Sequence, residues 1–323
     1  MKISVLVLSY NSKIEKLFLT LKSIVMQDFD DFEIVIADDG SKNSPFRELD
    51  SFFETYDFKN YHYVANTVNR GTVKNIISGL SCCTGKYVKP ISAGDCLYNE
   101  NTLKNVYTFM EKEKAECCFG LIQGYRTGED GSFTKTGYYH PFDIKAYRLK
   151  QAEKRITRNL LLYSDNVCGA AICYRKDFFV EYMKKIEPYV VYEEDIFQVL
   201  SAVEGRCVKL YDSYMIWYEI GNGISTKKHS RFEDLLAKDV DALYRHLYEL
   251  YPENRYVKKR HALLPFYRIK NLYLRTILRT FVNPDAIRYL ISSFVQKRMG
   301  AHRQKENVEM GFLENPEFRG VNI

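Results

Sequence analysis

The chain has 323 residues, 46% of them apolar and 27% charged, so it can bury a large core and has an ordinary globular composition. The opening MKISVLVLSYN holds about six consecutive apolar residues, fewer than the roughly 7–15 of a signal-peptide core. No window reaches the ~18 apolar residues of a membrane span. We therefore expect a globular protein with neither a secretion signal nor a membrane-spanning helix.

The net charge of +6 comes from one part of the chain. Residues 255–303 contain twelve Lys or Arg and a single acid, Asp285, so this segment carries +11 and the remainder −5. A basic surface confined to one segment indicates a local electrostatic role.

The eight cysteines are at positions 82, 83, 96, 117, 118, 168, 173 and 207. None forms a CxxC pair, and no spacing is typical of a zinc site. Because no secretion signal is predicted, we expect reduced, mostly buried thiols in a cytosolic protein.

Short apolar runs alternate with helical patterns in the first ninety residues. The runs that predict buried strands are 3–8, 32–37, 61–65 and 86–91. The helical patterns between them are 14–27, 43–56 and 71–80. This alternation predicts βαβ units, an α/β fold and a mainly parallel sheet.

Polar residues follow each of these four strands. They are Ser9 to Asn11, Asp38 to Ser41, Asn66 to Gly71, and Ser92 to Asp95. Ligands of open parallel sheets bind beyond the carboxyl ends of the strands, so we expect the four ends to converge on one crevice. The chain has no GxGxxG after its first strand and no GxxxxGK[ST], which argues against a dinucleotide-binding fold and a P-loop.

Several of these polar residues have the chemistry of nucleotide or metal ligands. Tyr10 could stack on a flat ring, and Asp38 or Asp39 could accept a hydrogen bond from a base or a ribose. Asp95 could bind a divalent cation, because a cation on a diphosphate needs only one or two protein carboxylates. Each residue also has a purely structural interpretation, as a turn residue or a helix cap.

The rest of the chain is predicted in less regular pieces. Residues 117–175 are predicted to hold short strands and a polar loop, with one strand at 169–175. An extended segment turning into a helix follows at 190–203, then closing strands at 207–212 and 214–220 and a GNGIST loop at 221–226 that could act as a lid. Helices are predicted at 231–250, 255–280 and 284–299. Within the 190–203 segment, Glu193, Glu194 and Asp195 begin a helix. Acids there either favour the helix dipole or, near a cleft, supply a general base for a hydroxyl nucleophile.

The segment LLPFYRIKNLYLRTILRTF, residues 263–281, interleaves basic and aromatic side chains. It predicts an amphipathic surface helix that docks on an anionic membrane through its apolar and basic side chains. The alternative is a helical subdomain that packs on the core with its basic face in solvent. Nucleic-acid binding is not expected, because no recognised binding motif accompanies the charge.

Taken in order, five stretches resemble the family-2 glycosyltransferases, which are inverting enzymes with the GT-A fold. The stretches are ISVLVLSYN, EIVIADDGS, NRGTVKNIISGLSCCTGKYVKPISAGD, YEEDIFQ and WYEIGNGIST, and they cover about residues 1–226. Each motif is short, but five in the family's order are specific together. The resemblance implies a nucleotide-sugar-binding catalytic domain at 1–226, followed by a basic helical region at 227–323.

The resemblance also implies roles for individual residues. The donor would be a nucleotide diphosphate-sugar, with a UDP-sugar expected, and its ligands would be Ser9, Tyr10, Asn11, Asp38, Asp39, Arg70, Lys74, Gly94 and Asp95. Asp95 would hold Mg²⁺ or Mn²⁺. Asp195 would take the proton of the acceptor hydroxyl, with Glu194 as the second candidate. The acceptor would be a glycan or lipid-linked glycan of bacterial surface polysaccharide synthesis, met in the cytoplasm or at the inner face of the membrane.

Two positions depart from the family's pattern. Ser92 and Gly94 stand where the earlier acids of its D-x-D or D-x-D-D metal motif would fall, which leaves open weaker metal binding or an altered donor. Lys74 replaces a common arginine, so the charge is kept but the bidentate fork is lost.

Two other functions therefore stay open. One is a catalytically degenerate fold that acts as a membrane-associated assembly partner, which the missing acids favour. The other is a nucleotidyltransferase, for which SYNSKIEK is a poor match to the expected Gly-rich basic loop after the first strand.

Overall fold

The strands and helices predicted for the first ninety residues are present in a computed structural model of the chain, which describes residues 1–128, 132–221, 232–267, 269, 271–305 and 308–320. The strands are β1 (Ile3–Ser9), β2 (Phe32–Asp38), β3 (Tyr61–Ala65) and β4 (Tyr87–Ser92). The helices are α1 (Ile14–Val25), α2 (Phe46–Thr55) and α3 (Thr72–Cys82). Every boundary lies within about three residues of its predicted position.

The remaining described residues add five strands and ten helices. The strands are β5 (Cys96–Leu97), β6 (Cys117–Thr127), β7 (Phe133–Thr136), β8 (Ile172–Arg175) and β9 (Lys209–Glu219). The helices are α4 (Thr102–Glu113), α5 (Ile144–Tyr147), α6 (Glu153–Tyr163), α7 (Lys176–Ile186), α8 (Phe197–Val203), α9 (Phe232–Leu250), α10 (Arg255–Tyr267), α11 (Leu272–Val282), α12 (Asp285–Arg298) and α13 (Pro316–Gly320).

One sheet organises the molecule, in the order β3-β2-β1-β4-β8-β6-β9-β5, with β7 paired to β6. The first four strands of this order are parallel, as are β6 and β9, whereas β8, β5 and β7 pair antiparallel to their neighbours. Pairing of β4 with β8 ends at Val88, just before Pro90, a residue with no N–H to donate. The α/β class and the mainly parallel sheet are confirmed.

Apolar side chains leave both faces of the sheet and form two cores. In β1, Leu6 enters the core under α3 and α6 to α10, whereas Val5 and Val7 enter the core under α1, α2 and α4. This alternation follows from the two-residue period of a strand. The sheet is therefore buried on both sides, as parallel sheets are.

The structure corrects three of the predicted elements. The helix expected at 255–280 is two helices, because the Asn271 side chain accepts the N–H of Leu274 at 3.0 Å and so caps the start of α11. The strand expected at 169–175 begins only at Ile172, after a 3₁₀ turn at Gly169–Ala171. The two closing strands are a single strand, β9, with a register shift opposite Leu121.

The C-terminal third packs against the rest of the chain. Leu243 of α9 and Leu264 of α10 belong to the same apolar core as the sheet, and Phe312 and Phe318 pack around Trp217 of β9. The division at residue 226 stays a prediction. The GNGIST loop lies outside the described residues from position 222 onward.

Two further expectations can be compared with the structure. All eight cysteines are free thiols, five of them buried, as expected. None of the helices in the described ranges combines the length and apolar composition that a bilayer-crossing segment requires.

Candidate active site

The carboxyl ends of the four parallel strands meet at one edge of the sheet. Ser9 lies in register with Asp38, Leu8 with Ser92, and Asp38 with Ala65. The convergence predicted from the polar strand ends is therefore confirmed.

Asp39 organises the donor side of this edge through hydrogen bonds within the protein. Its Oδ1 accepts the Asn66 side-chain amide and the Arg70 N–H, and its Oδ2 accepts the Gly71 N–H, each at 2.9 Å. Three charge-assisted bonds tie the end of β2 to the start of α3. The structural interpretation of this acid holds, and its contact with a nucleotide base stays a prediction.

Asp38 and Asn11 hold the turn that follows β2. Asp38 accepts the Ser41 N–H at 2.9 Å and the Ser41 hydroxyl at 2.6 Å. Asn11, in a left-handed conformation with φ 47°, donates its N–H to the Ser41 hydroxyl oxygen and accepts the Lys42 N–H. These bonds leave the Tyr10 side chain 40% exposed at the rim, where a flat ring can reach it.

The two cations assigned to the diphosphate lie on the segment that Asp39 holds. The Arg70 side chain is exposed, and Lys74 projects from the first turn of α3. Neither makes a side-chain ion pair with another described residue, so both charges are available to an anion.

The turn that carries Asp95 has no room for an additional side chain. Gly94 has φ +99°, and a Cβ there would lie 2.6 Å from Oε2 of Glu219 at the end of β9. Asp95 Oδ1 accepts the Glu219 N–H at 3.0 Å, while Asp95 Oδ2 has no hydrogen-bond partner among the described residues. Glu219 thus brings a second carboxylate to the place where the family's metal motif would carry an earlier acid. Its carboxylate pairs with Lys16.

Burial and neighbouring charges set the protonation of this turn. Burial is the main reason that the pKa of Asp95 rises to about 7, and the Glu219 carboxylate adds to the rise. The Glu219 N–H and the Lys89 and Lys16 ammonium groups act in the opposite direction.

Lys89 is a buried cation that the sequence analysis did not single out. It lies in β4, and its ammonium donates 2.6 Å hydrogen bonds to the carbonyls of Pro90 and Ala170. Burial lowers its pKa to about 8. A lysine in a strand is normally taken for a surface residue, so only the three-dimensional structure reveals that Lys89 is buried.

Asp195 keeps one carboxylate oxygen unpaired inside the protein. Its Oδ2 accepts the Gly169 N–H at 2.8 Å, and its Oδ1 is inaccessible to solvent and has no hydrogen-bond partner among the described residues. Burial and the nearby Glu193 carboxylate raise the pKa of Asp195 to about 7. The pKa of Glu194 is raised as well, first by burial and then by the Asp195 carboxylate.

A residue of the C-terminal region positions this acidic segment. Oδ2 of Asp239, a buried acid of α9, accepts the N–H groups of Val191, Tyr192 and Glu193 at 3.0, 2.6 and 3.1 Å. On the other side, the Val191 carbonyl accepts the Val73 N–H of α3 at 3.1 Å. The acidic segment is thereby joined to the donor side. Sequence reasoning missed Asp239, because one acid among many on a helix carries no signal.

The Cys168 thiol is affected by acids from both groups. Burial raises the pKa of this thiol to about 12, and the carboxylates of both Asp195 and Asp95 contribute to that rise. The Asp95 and Asp195 carboxylates therefore both act electrostatically on the same thiol. A carboxylate with raised pKa and an unpaired oxygen suits proton abstraction, and the Arg70 and Lys74 cations suit a polyanionic ligand.

Comparison with known proteins bears on the family and the fold of the chain. The model of Glycosyl transferase family 2 matches residues 4–183. An uncharacterized glycosyltransferase of Haemophilus influenzae is 26% identical over 253 residues, covering 74% of this chain and 71% of that protein.

Two solved structures share the architecture. S. aureus TarS 1-349, in complex with UDP-GlcNAc, matches with a TM-score of 0.56 at 18% identity, covering 82% of this chain and 72% of that one. GalNAc-T7, with UDP, GalNAc and Mn²⁺, matches with a TM-score of 0.57 at 16% identity, covering 87% of this chain and 54% of that one. At such identities the likeness shows the fold alone, which is GT-A. The family model spans more than half of the sequence, and the chain belongs to glycosyltransferase family 2.

Proposed function

We propose that the protein is an inverting glycosyltransferase that moves a sugar from a UDP-sugar to a hydroxyl of a glycan or lipid-linked glycan. The observation that carries the proposal is the buried Asp195 carboxylate, with one oxygen free and its pKa raised to about 7. A general base is most effective when its pKa lies near the working pH. UDP is the nucleotide bound in both TarS and GalNAc-T7.

In the proposed reaction, Asp195 Oδ1 removes the proton of the acceptor hydroxyl. The hydroxyl oxygen forms a bond to the anomeric carbon on the face opposite the departing UDP, so the anomeric configuration inverts. The Gly169 N–H holds Oδ2 and so fixes the position of the carboxylate. Glu194 stays the second candidate for the base.

The donor site uses the ends of the parallel strands. Tyr10 stacks on the base, Asp38 and Asp39 lie beside the base and ribose, and Ser9 and Asn11 shape the turn around them. Arg70 and Lys74 bind the diphosphate and stabilise the charge that develops on it as the sugar leaves.

A divalent cation fits the Asp95 turn of this structure. Asp95 Oδ2 is a hard oxygen without a hydrogen-bond partner in the described part of the chain, and the Glu219 carboxylate lies beside it. One or two carboxylates suffice when phosphates complete the coordination. Asp95, with Glu219, would hold Mg²⁺ or Mn²⁺, which when bound neutralises charge on the diphosphate.

We further propose a setting in bacterial surface polysaccharide synthesis, such as capsule assembly, in the cytoplasm at the inner face of the membrane. The basic segment 255–303 supports the membrane location, because anionic headgroups attract Lys and Arg.

The test is a panel of UDP-sugars assayed for UDP release, followed by early ¹H NMR of the sugar product. Inversion by water or acceptor gives the anomer opposite to that of the donor. We expect release from one donor, with inverted product. Retained configuration would contradict the mechanism. Nucleotide binding without turnover of any donor would instead favour the catalytically degenerate alternative.

A further inference from the structure

Helix α12 buries its polar side and exposes its apolar side. The buried positions are Tyr289, Ser293 and Gln296. The Gln296 amide donates to Asp143 Oδ1 at 2.7 Å, and its Oε1 accepts the Lys145 N–H at 3.0 Å. The helix is therefore attached to the protein largely by polar contacts.

The opposite side of α12 carries five large apolar side chains. They are Ile287, Leu290, Ile291, Phe294 and Val295, each between 44% and 60% exposed. Their spacing of i, i+3, i+4, i+7 and i+8 places them on a single face of a helix. A helix of a globular protein normally turns such a face toward the core.

Helix α11 extends this apolar surface. Tyr273, Ile277 and Phe281 follow one another at intervals of one helical turn and are 82%, 65% and 87% exposed. Helix α11 contacts α12. These three side chains and the five of α12 are called the outer apolar face. Exposed apolar surface on this scale marks an interaction site.

Exposed basic side chains on α12 lie beside the outer apolar face. In sequence, α11 and α12 hold five Lys or Arg and one acid, Asp285. Arg288 and Lys297 are exposed on α12, and the Arg298 guanidinium lies 5.2 Å from the Phe294 ring centroid. A second copy of this basic surface would repel the first, whereas an anionic lipid surface attracts both the charge and the apolar side chains.

We infer that the outer apolar face docks in the plane of an anionic phospholipid bilayer. The apolar side chains enter the boundary between headgroups and acyl chains, while Arg288 and Arg298 reach the headgroup phosphates. This docking gives the proposed membrane location a defined surface. It rests on that part of the proposed function, but its measurement does not depend on sugar transfer.

The experiment is co-sedimentation of the full chain with vesicles of phosphatidylcholine alone, or mixed with phosphatidylglycerol. We expect binding to the mixed vesicles only, weakened by salt. The double variant Ile291→Glu, Phe294→Glu should lower partition by about 100-fold or more, because it removes two apolar anchors. Arg288→Gln and Arg298→Gln should each lower it about fivefold.

Leu250→Glu is the matched control. Leu250 is 52% exposed on α9, outside the outer apolar face, and its replacement should leave vesicle binding unchanged. Thermal denaturation of every variant checks that the fold is intact. The inference is overturned if wild type binds neither vesicle, or if Ile291→Glu, Phe294→Glu binds as tightly as wild type. It is also overturned if sedimentation shows that this variant abolishes a dimer instead of lipid binding.

Discussion

The Gly169 N–H lies 2.8 Å from Oδ2 of Asp195, and the same glycine leaves no space for a side chain beside Oδ1. A Cβ at position 169 would collide with that oxygen. One glycine therefore both holds the carboxylate through Oδ2 and packs directly against Oδ1.

Gly169→Ala should reduce turnover and spare nucleotide binding. The added methyl displaces the Asp195 carboxylate, and a misplacement of about 1 Å costs on the order of 100-fold in rate. UDP release and UDP affinity are measured side by side. Ala170→Gly, which keeps the carbonyl bonded to Lys89, serves as the control and should turn over normally. A fully active Gly169→Ala would show that this contact has no catalytic importance.

Turnover should fall below neutral pH. A base must be deprotonated to accept a proton, and the pKa of Asp195 is raised to about 7, so kcat/KM should rise with pH through an apparent pKa of about 7. Because the pKa of Asp95 in the free protein is also about 7, metal-dependent nucleotide binding should weaken over the same range. Measuring nucleotide binding and turnover separately as a function of pH distinguishes the ionisation of Asp195 from that of Asp95. An acid limb near pH 4 would contradict the raised pKa.

Asp195→Asn should stabilise the fold above neutral pH. The folded pKa of about 7 exceeds the unfolded value of about 4, so between these values the folded state retains a proton that the unfolded state has lost. Stability is therefore lost as pH rises through this window. The amide variant avoids that loss, and its melting temperature at pH 8 should exceed that of wild type by a few degrees (about 1 kcal/mol).

At pH 4, wild type and Asp195→Asn should have the same melting temperature. Glu48→Gln, on the exposed side of α2, is the control for removing a surface carboxylate. If Asp195→Asn is less stable than wild type at pH 8, ionisation of this carboxylate does not destabilise the native state.

Asp239→Asn should weaken the site from a distance. One oxygen of Asp239 accepts three backbone N–H groups of the segment before Asp195, and hydrogen bonds to charged groups contribute about 1.5–3 kcal/mol each. We expect lower stability by about 1–3 kcal/mol and at least about tenfold slower UDP release, with UDP affinity unchanged. Asp234→Asn, at an exposed position of the same helix, is the matched control. Equal turnover in both variants would remove Asp239 from a positioning role.

Asp95→Asn should abolish the metal-dependent part of nucleotide binding. A ligand present at 100 times its Kd stabilises the folded state by about 2.7 kcal/mol, which a thermal shift detects. Wild type should show a larger shift with UDP and Mn²⁺ than with UDP alone, and Asp95→Asn should show equal shifts. Glu219→Gln should reduce the difference between the thermal shifts measured with and without Mn²⁺. A wild-type response to Mn²⁺ in Asp95→Asn would locate the cation elsewhere.

The sequence predicts the fold of the first ninety residues well because this part is built from local patterns. The apolar runs at β1, β2 and β4 are unambiguous buried strands, and a parallel sheet brings their polar ends together without further information. Asp39 and Asp95 could be found on that basis alone.

The rest depends on contacts between distant parts of the chain. Glu219 reaches the Asp95 turn from β9, and Asp239 reaches the acidic segment from α9. Neither has a local pattern that separates it from a solvated acid. The start of α11 is capped by the Asn271 side chain, within an apolar periodicity that predicted a continuous helix.

The most direct test of Asp195 as the base is UDP release by Asp195→Asn beside Glu194→Gln, with UDP affinity measured for both. Loss of a general base costs on the order of 100- to 10,000-fold. We expect Asp195→Asn to bind UDP as wild type does and to lose turnover by that factor, while Glu194→Gln retains most of it. Wild-type turnover in Asp195→Asn would contradict the assignment. If Glu194→Gln is the inactive variant instead, Glu194 is the base.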